Sequence, residues 1–270
     1  MTTAAAHAKL NLALVVGPRR DDGLHEIATV IQRIDLADRV SVEPATTLEV
    51  RGFPEDTLVR AALEGLGAAC PGAGRWAVTL EKEIPVASGL GGGSSDAATA
   101  LRLANETLAE PLRESELHQL AARVGSDVPF FLAPGPKLAT GTGAELSPLE
   151  LPQGYVALVL LPHGERKDST RTVYEAFDER RGDVRFADRR AELFRALEQV
   201  AHPQDLAGLP RNDLVSSPLA AEFERAGAFR ADVTGAGPAV YGLFRDRAEA
   251  ERAAERMGPF GAAWVTAPAW

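Results

Sequence analysis

Residues 89–96 of this 270-residue chain read GLGGGSSD, which puts four glycines, two hydroxyl side chains and one carboxylate in eight positions. Upstream, Val78, Leu80 and Ile84 alternate with polar residues, as in a strand with one buried face. Downstream, apolar residues recur at helical spacing from Ala97 onward, and a side chain within residues 94–96 is predicted to cap the helix. The stretch is therefore predicted to be a loop that opens a helix.

Such a loop is suited to hold phosphate. A helix N-terminus has unpaired N–H groups and a partial positive charge, and both stabilise an anion. Glycines allow several amides to approach one phosphate because they adopt left-handed conformations without strain. The alternative is a flexible Gly/Ser linker, but linkers rarely run from a patterned strand directly into a capped helix.

Two common nucleotide motifs are excluded. A Walker loop places a lysine directly before its Ser or Thr, and no lysine precedes Ser94 within the loop. A dinucleotide fingerprint that starts at Gly89 needs a glycine at position 94, which is serine here. The loop therefore belongs to another class of phosphate-binding loop.

Composition limits the partners. The net charge of −9 argues against nonspecific binding to nucleic acid or to an anionic membrane, since both need an excess of basic side chains. Cys70 is the single cysteine, so an internal disulfide is impossible. No apolar run reaches the roughly 20 residues that span a bilayer, and residues 1–8 lack a signal-peptide pattern. We predict a cytoplasmic protein with a small-molecule ligand; the oligomeric state is left open.

The first half of the chain mixes strands and helices. Extended segments are predicted at residues 8–16, 27–34 and 39–43, and a helix at 58–69. Lys9 and Asn11 fall on the same face of the first strand. Ser115 is predicted to cap a helix that ends at Gly125, and Pro129 opens a further short helix, which places Asp127 near a helix N-terminus.

The pattern resets at residues 151–154, where we place a domain boundary. Residues 155–161 form an apolar run typical of a central buried strand. Helices are predicted at 169–179, 191–200, 218–226 and 247–257, with two strands joined by the GAGP turn at 235–238 and a last strand at 262–266. Both halves are therefore predicted to be α+β.

Residues 85–95, PVASGLGGGSS, resemble the phosphate loop of the GHMP kinases, the superfamily of galactokinase, homoserine kinase and mevalonate kinase. Three stretches look like signatures of one family within it, the 4-diphosphocytidyl-2-C-methyl-D-erythritol kinases: AKLNL at 8–12, DGLHE at 22–26 and GSDVPFF at 125–131. The TGAG stretch at 234–237 matches the late glycine motif of the same proteins. The resemblance spans nearly the whole chain.

This resemblance implies a two-domain α+β GHMP kinase fold with the active site in the cleft between domains. Residues 1–152 would be the N-terminal ATP-binding domain and residues 153–270 the C-terminal domain. It implies ATP-dependent phosphorylation of the 2-hydroxyl of 4-diphosphocytidyl-2-C-methyl-D-erythritol, in non-mevalonate isoprenoid precursor synthesis. The residues expected to hold ATP are Pro85, Val86, Ala87, Ser88, Gly89, Leu90, Gly91, Gly92, Gly93, Ser94 and Ser95.

The resemblance also assigns catalytic roles. Asp127 matches the general base, and Lys9 matches a fixed positive charge beside it that stabilises the hydroxyl and the transferring phosphoryl group. From the residues alone, Asp127 reads as a helix cap and Lys9 as a solvated strand lysine. The match to the family motifs favours the catalytic reading for both.

Substrate contacts are implied for Asn11, which would position the substrate, and for His25, which would hydrogen-bond the cytosine base. Leu24 stands where the family often has a tyrosine for stacking on cytosine. Tyr174 lies near the family's other aromatic position, and both a stacking role and a core role remain open for it.

Gly235 and Gly237 are a tight hairpin turn by pattern and a substrate-approaching loop by resemblance. Mg²⁺ is expected to bridge the phosphates, with Ser95 as a candidate ligand. Substrate contacts in the charged segment 164–170, GERKDST, cannot be transferred from the family because that connection is longer than expected. Two other functions stay open: a GHMP kinase for another alcohol, and a ligand-binding sensor without turnover.

Overall fold

A computed structural model describes residues 1–70, 72, 74–164 and 169–270 of the chain. The chain forms two compact units that are not continuous in sequence. Unit 1 comprises Met1–Ala8, Leu36–Val86 and Gly91–Pro134, and unit 2 comprises Lys9–Asp35, Ala87–Leu90 and Gly135–Trp270. Strands β1 (Thr2–Arg19) and β2 (His25–Ala45) pair with each other and contribute residues to both units.

Unit 1 contains a small mixed sheet. The C-terminal half of β2 pairs antiparallel with β4 (Arg75–Glu81), from Arg39 opposite Glu81 to Ala45 opposite Arg75. The short strand β3 (Glu49–Arg51) adds parallel to the other side of β4. Val78 and Leu80 of β4 are buried, while Glu81 is exposed, so one face of this strand packs on the core.

Unit 1 has three helices: α1 (Thr57–Ala69), α2 (Gly92–Asn105) and α3 (Glu114–Val124). Helices α1 and α2 contact β4, and α3 packs against α1 and α2. Helix α1 buries residues at the 3–4 spacing of one helical face, and Asp56 caps it by accepting a bond from the Val59 N–H at 2.8 Å. Helix α2 is buried along most of its length because it is rich in alanine and packs closely against its neighbours. A 3₁₀ helix, Pro129–Leu132, closes the unit.

In unit 2, the N-terminal half of β2 pairs with two further strands, and a third strand extends this sheet beyond one of them. Strand β5 (Lys137–Gly141) pairs antiparallel with β2 residues 27–31, and β6 (Glu145–Pro148) pairs with β5. The last strand, β11 (Pro268–Ala269), pairs with β2 at residues 33–34.

A second sheet of unit 2 is antiparallel, in the order β10–β7–β9–β8. The central strand β7 is almost wholly buried, and the core on one side contains Phe223, Phe244 and Met257. The strands are β7 (Val156–Pro162), β8 (Arg230–Val233), β9 (Val240–Phe244) and β10 (Gly261–Thr266). The helices of this unit are α4 (Thr170–Glu179), α5 (Phe186–Glu198), α6 (Leu219–Arg225) and α7 (Arg247–Met257).

Most predicted elements are present, with some differences. The segments at 27–34 and 39–43 form one strand, which runs through the residues between them. There Asp35 accepts the Ala267 N–H at 2.9 Å, and Asp38 accepts two backbone N–H groups. Ser115, predicted to cap α3, lies inside the helix, which begins at Glu114. Helix α5 begins at Phe186 rather than 191. Strands β5 and β6 were missed, since they are short and separated by a glycine-containing turn.

In the part of the chain that the structure describes, no helix is both long enough and apolar enough to cross a bilayer.

Candidate active site

The glycine-rich segment opens α2 as predicted, but its cap differs. Gly91 occupies the N-cap position in a left-handed conformation, φ 75°, and no side chain bonds the first turn. The prediction that Ser94, Ser95 or Asp96 caps the helix is wrong, because all three lie inside it. The first-turn N–H groups are therefore not bonded by a capping side chain, which is the arrangement that favours an anion.

Residues Ala87–Leu90 are held within unit 2. The Leu90 carbonyl accepts the Lys9 N–H, and the Ser88 carbonyl accepts the Ala239 N–H, both at 2.9 Å. A Cβ on Gly89, which has φ 90°, would lie 2.4 Å from the Thr234 carbonyl oxygen, so only glycine fits this close approach. The non-glycine Ala87 also has a positive φ, 58°, a strained geometry that is common at ligand sites.

A buried ionic cluster, which we call the loop anchor, consists of Asp38, Lys82 and Asp96 in unit 1. The Lys82 Nζ donates to Asp38 Oδ2 and to Asp96 Oδ2, each at 2.5 Å. Asp38 is 1% exposed and Asp96 0% exposed, so the cluster is withdrawn from water. Asp38 Oδ1 accepts the backbone N–H groups of Glu83 at 2.6 Å and Ile84 at 2.8 Å.

The loop anchor contains two carboxyl groups and only one lysine, and this excess affects their pKa values. Burial, with a further contribution from Asp38, raises the pKa of Asp96 to about 7, although Lys82 opposes the shift. Burial lowers the pKa of Lys82, but the attraction of both carboxylates outweighs it and the net pKa is raised. Asp96 Oδ1 is buried without a hydrogen-bond partner. The anchor therefore carries more carboxylate than its lysine neutralises.

Lys9 and Asn11 lie together on β1, as predicted, in a polar network of unit 2. Lys9 is 4% exposed, and its Nζ donates to Asn11 Oδ1 at 2.5 Å. Asn11 Nδ2 donates to Thr29 Oγ1 at 2.8 Å, and the Asn11 N–H donates to Thr234 Oγ1 at 3.1 Å. A Cβ on Gly235 would lie 3.3 Å from Lys9 Nζ, so the turn at 234–238 closely approaches the lysine. Lys9 is therefore not the solvated strand lysine that its position alone suggested.

Gly235 and Gly237 have positive φ values of 58° and 74°, which the turn between β8 and β9 requires. Asn212 supports this turn, because its Nδ2 donates to the Gly235 carbonyl at 2.7 Å and to the Val233 carbonyl at 3.0 Å. The substrate contact predicted for Gly235 and Gly237 stays a prediction.

Asp127 lies in unit 1 between the end of α3, at Gly125, and the 3₁₀ helix that Pro129 opens. The Val128 N–H donates to the Gly125 carbonyl at 3.1 Å, which makes a tight turn around Asp127. Val128, not Asp127, occupies the N-cap position of the short helix. The side chain of Asp127 is half-buried. Its position near a helix N-terminus is as predicted; its role as a base stays a prediction.

His25 begins β2 and is 8% exposed. Its Nε2 lies 2.7 Å from Asp178 Oδ1 of α4. The centroids of the Tyr174 and His25 rings are 4.7 Å apart, and the two ring planes are tilted by 34°. Phe177 meets the imidazole edge-on at 6.1 Å. Tyr174 is also partly buried against the small core of Leu14, Val16, Phe177 and Leu214, so it touches both His25 and the core.

Leu24 is 53% exposed, and because its side chain is aliphatic it offers no ring that could stack on cytosine. The charged segment 164–170 that we singled out falls mainly on residues 165–168, which lie outside the described chain.

Sequence reasoning missed Asp38, Lys82 and Asp178. Lys82 does not interrupt the alternation of the predicted strand, and Asp38 lies between two predicted strands. Asp178 has no signal at all, since its partner His25 is 153 positions away. Buried charge contacts of this kind depend on the fold and leave no local pattern.

Among the described residues, no group of three or more His, Cys, Asp or Glu side chains is arranged to hold a metal ion. Ser95, the candidate magnesium ligand, is 1% exposed within α2.

Comparisons with known proteins define the class of this fold. The family model for the GHMP kinases N-terminal domain matches residues 57–135, and the model for the C-terminal domain matches residues 186–262. The chain therefore has the two-domain α+β fold of a GHMP kinase, a class of small-molecule phosphotransferases. The boundary that we place between residues 152 and 153 lies between the two matches and stays a prediction.

Relatives narrow the class further. The 4-diphosphocytidyl-2-C-methyl-D-erythritol kinase of Pelobacter propionicus is 35% identical, over 99% of this chain and 98% of the relative. The kinase of the same name from Symbiobacterium thermophilum is 38% identical, over 96% of each chain. A crystal structure of 4-(cytidine 5′-diphospho)-2C-methyl-D-erythritol kinase superposes with a TM-score of 0.81 at 32% identity, covering 100% of both chains. The chain belongs to the 4-diphosphocytidyl-2-C-methyl-D-erythritol kinase family.

Proposed function

We propose that this kinase transfers the γ-phosphoryl group of ATP to the 2-hydroxyl of 4-diphosphocytidyl-2-C-methyl-D-erythritol, a step of non-mevalonate isoprenoid precursor synthesis. The observation that carries the proposal is the full-length similarity to kinases that bear this substrate in their names. Because ATP is the phosphoryl donor, we also propose a cytoplasmic location, with small molecules and not macromolecules as ligands.

The first requirement of the reaction is a held triphosphate. We assign this to residues 85–95, with the uncapped first turn of α2 supplying N–H donors to phosphate oxygens. The left-handed conformations of Gly89 and Gly91 turn the backbone where a side chain would be strained.

The second requirement is a hydroxyl that loses its proton as the new P–O bond forms. We assign the proton acceptor to Asp127, a half-buried carboxylate at a tight turn. Lys9 would stabilise the negative charge of the transferring phosphoryl group, since its ammonium is held at a fixed position by Asn11. Asn11 would act chiefly by fixing Lys9, because its side-chain amide also donates to Thr29 Oγ1 and accepts from Thr234 Oγ1.

Recognition of the cytidyl group would fall to His25 and Tyr174. The contact of Asp178 with His25 Nε2 favours the tautomer that carries its proton there, which leaves Nδ1 as an acceptor. An acceptor suits the exocyclic amino group of cytosine and not the carbonyl of uracil. We therefore expect His25→Ala to raise KM for the cytidyl substrate about tenfold while KM for ATP stays unchanged. An unchanged KM for the cytidyl substrate would remove His25 from base recognition.

Mg²⁺ is part of the proposal because it neutralises charge on the phosphate oxygens during transfer. This ion takes one or two protein oxygens and completes its shell with phosphate and water. Ser95 offers a hydroxyl oxygen near the start of α2. A single protein oxygen of this kind fits a magnesium ion that would enter with ATP, and Ser95 would hold it.

The experiment that tests the function incubates the purified protein with ATP, Mg²⁺ and, separately, the cytidyl alditol, homoserine or mevalonate. ADP release is measured, and ³¹P NMR locates the new phosphate ester. We expect turnover with the cytidyl alditol alone. Turnover with another alcohol would assign a different GHMP kinase activity, and binding of ATP and the alditol without turnover would indicate a sensor.

Asp127→Asn serves as the catalytic variant in the same assay. It keeps the shape of the side chain and removes proton acceptance, so we expect kcat to fall about 10²–10⁴-fold with ATP affinity nearly intact. Near-normal turnover would reject Asp127 as the base.

A further inference from the structure

Both flanks of the glycine-rich loop meet at one buried side chain, Asp38. On the upstream side, its Oδ1 accepts the N–H groups of Glu83 and Ile84, the two residues directly before Pro85. On the downstream side, its Oδ2 shares Lys82 Nζ with Asp96 of α2. A carboxylate of β2 thus contacts the chain that enters the loop and, through one lysine, the helix that leaves it.

The packing around Asp38 leaves little freedom. A Cβ on Gly92, the first residue of α2, would lie 3.0 Å from Ile84 Cγ2 and 3.4 Å from Asp38 Oδ2. The start of the helix therefore lies so close to the entry of the loop and to the carboxylate that a side chain at position 92 would be crowded. Both carboxylates of the anchor are fully buried and the Lys82 side chain is only 16% exposed, so water competes little for their bonds.

The need for such an anchor follows from the loop itself. Gly91, Gly92 and Gly93 give the backbone many conformations to lose on ordering. The helix has no capping side chain that would fix its first turn. Local sequence thus does little to order the amides that face the phosphates.

We propose that Asp38 is a positioning residue for nucleotide binding, which fixes the two flanks of the phosphate loop relative to each other so that the loop amides are ordered before ATP arrives. This inference rests on the proposed assignment of residues 85–95 to the triphosphate. It predicts that Asp38 governs affinity for ATP and not for the acceptor alcohol. A merely structural carboxylate would lower stability without this selectivity.

The test compares Asp38→Ala, which removes both oxygens, with Asp38→Asn, which keeps an acceptor for the two N–H groups but loses the charge that holds Lys82. Binding of a non-hydrolysable ATP analogue is measured by calorimetry, and thermal unfolding is measured on the same samples. Met257→Ala is the stability control, because it empties part of the unit 2 core and touches no part of the loop.

We expect Asp38→Ala to weaken analogue binding at least about tenfold and Asp38→Asn to weaken it about threefold, since the conservative variant keeps half of the contacts. Met257→Ala should bind the analogue within about twofold of the wild type despite a lower melting temperature. KM for the acceptor alcohol, at saturating ATP, should be unchanged in both Asp38 variants.

Wild-type analogue affinity in a folded Asp38→Ala protein overturns the inference, as does an equal loss of affinity in Met257→Ala. If Asp38→Ala does not fold, Asp38→Asn decides: weaker analogue binding with an unchanged acceptor KM supports the inference, and unchanged binding overturns it. Calorimetry of the analogue needs no acceptor, so a wrong alcohol in the proposed function leaves this result intact. Failure of the wild-type protein to bind the analogue would instead reject the assignment of the loop to ATP.

Discussion

Two lysines, the half-buried Lys82 in unit 1 and the buried Lys9 in unit 2, lie near glycine-rich turns and contact different kinds of group. Lys82 bridges two fully buried carboxylates, Asp38 and Asp96. Lys9 donates to the amide oxygen of Asn11, which is itself bonded to hydroxyl groups. The first lysine therefore lies against charge that the protein itself has buried, while the second is oriented by the side-chain amide of Asn11.

This difference separates two uses of buried charge. A lysine between carboxylates stabilises the fold, since its loss leaves anions without compensation in a medium that solvates them poorly. A lysine positioned by an amide keeps its orientation, and the proposed phosphoryl transfer would make use of its charge. Matched substitutions of the two lysines test this division.

Among these variants, we expect Lys82→Met to lower the free energy of unfolding most. Methionine fills similar space but leaves Asp38 and Asp96 buried without their cation, so we expect a loss of about 3 kcal/mol or more in the free energy of unfolding. Urea denaturation at neutral pH measures it. A loss below about 1 kcal/mol would mean that Lys82 does not stabilise the buried carboxylates of the loop anchor, and would reject a structural role for this lysine.

Lys9→Met is the matched variant. Asn11 Oδ1 still lies 3.4 Å from the Thr234 hydroxyl, so we expect the free energy of unfolding to fall by only about 1 kcal/mol. Turnover should fall about 10²–10³-fold, because a positioned positive charge is lost at the transferring phosphoryl group. Steady-state kinetics with the cytidyl substrate measure the change. An effect confined to KM would show that Lys9 only holds substrate in the ground state.

Two adjacent glycines of α2 differ in how closely they approach the loop anchor. Gly92→Ala brings a methyl group to 3.0 Å from Ile84 Cγ2 and 3.4 Å from Asp38 Oδ2, whereas Gly93→Ala meets Leu58 Cδ1 only at 3.4 Å. Alanine favours a helix by up to about 1 kcal/mol, so we expect Gly93→Ala to be neutral or stabilising. Gly92→Ala should lose that gain and weaken ATP binding severalfold. Equal behaviour of the two variants in calorimetry would contradict a tight contact at the anchor.

The parts of this molecule that follow from local pattern were predictable. The phosphate loop, the helix that it opens, the pairing of Lys9 with Asn11 and the helix-start position of Asp127 all rest on spacing within a few residues. The strand break that we expected between residues 34 and 39 does not exist, and two acids in that interval, Asp35 and Asp38, bond to residues far away in sequence.

The supporting contacts of the candidate site were not predictable for the same reason. Asp38 reaches Lys82 across 44 positions, and His25 reaches Asp178 across 153. Each partner alone resembles an ordinary polar residue, and only the fold brings the two together. At the start of α2 a local pattern was present but misleading. Serine or aspartate is the usual N-cap residue, whereas the structure places Gly91 there in a left-handed conformation.

The bonds from Asp38 to residues 83 and 84 also order events in folding. Strand β2 must pair with β4 before the carboxylate can reach the chain that enters the loop, and contacts of such sequence separation close late in assembly. The loop has no capping side chain of its own, so it would remain unformed in a chain whose β2 and β4 have not yet paired. Nucleotide binding during refolding would then report the completion of unit 1, and ATP would select chains that have already passed this step.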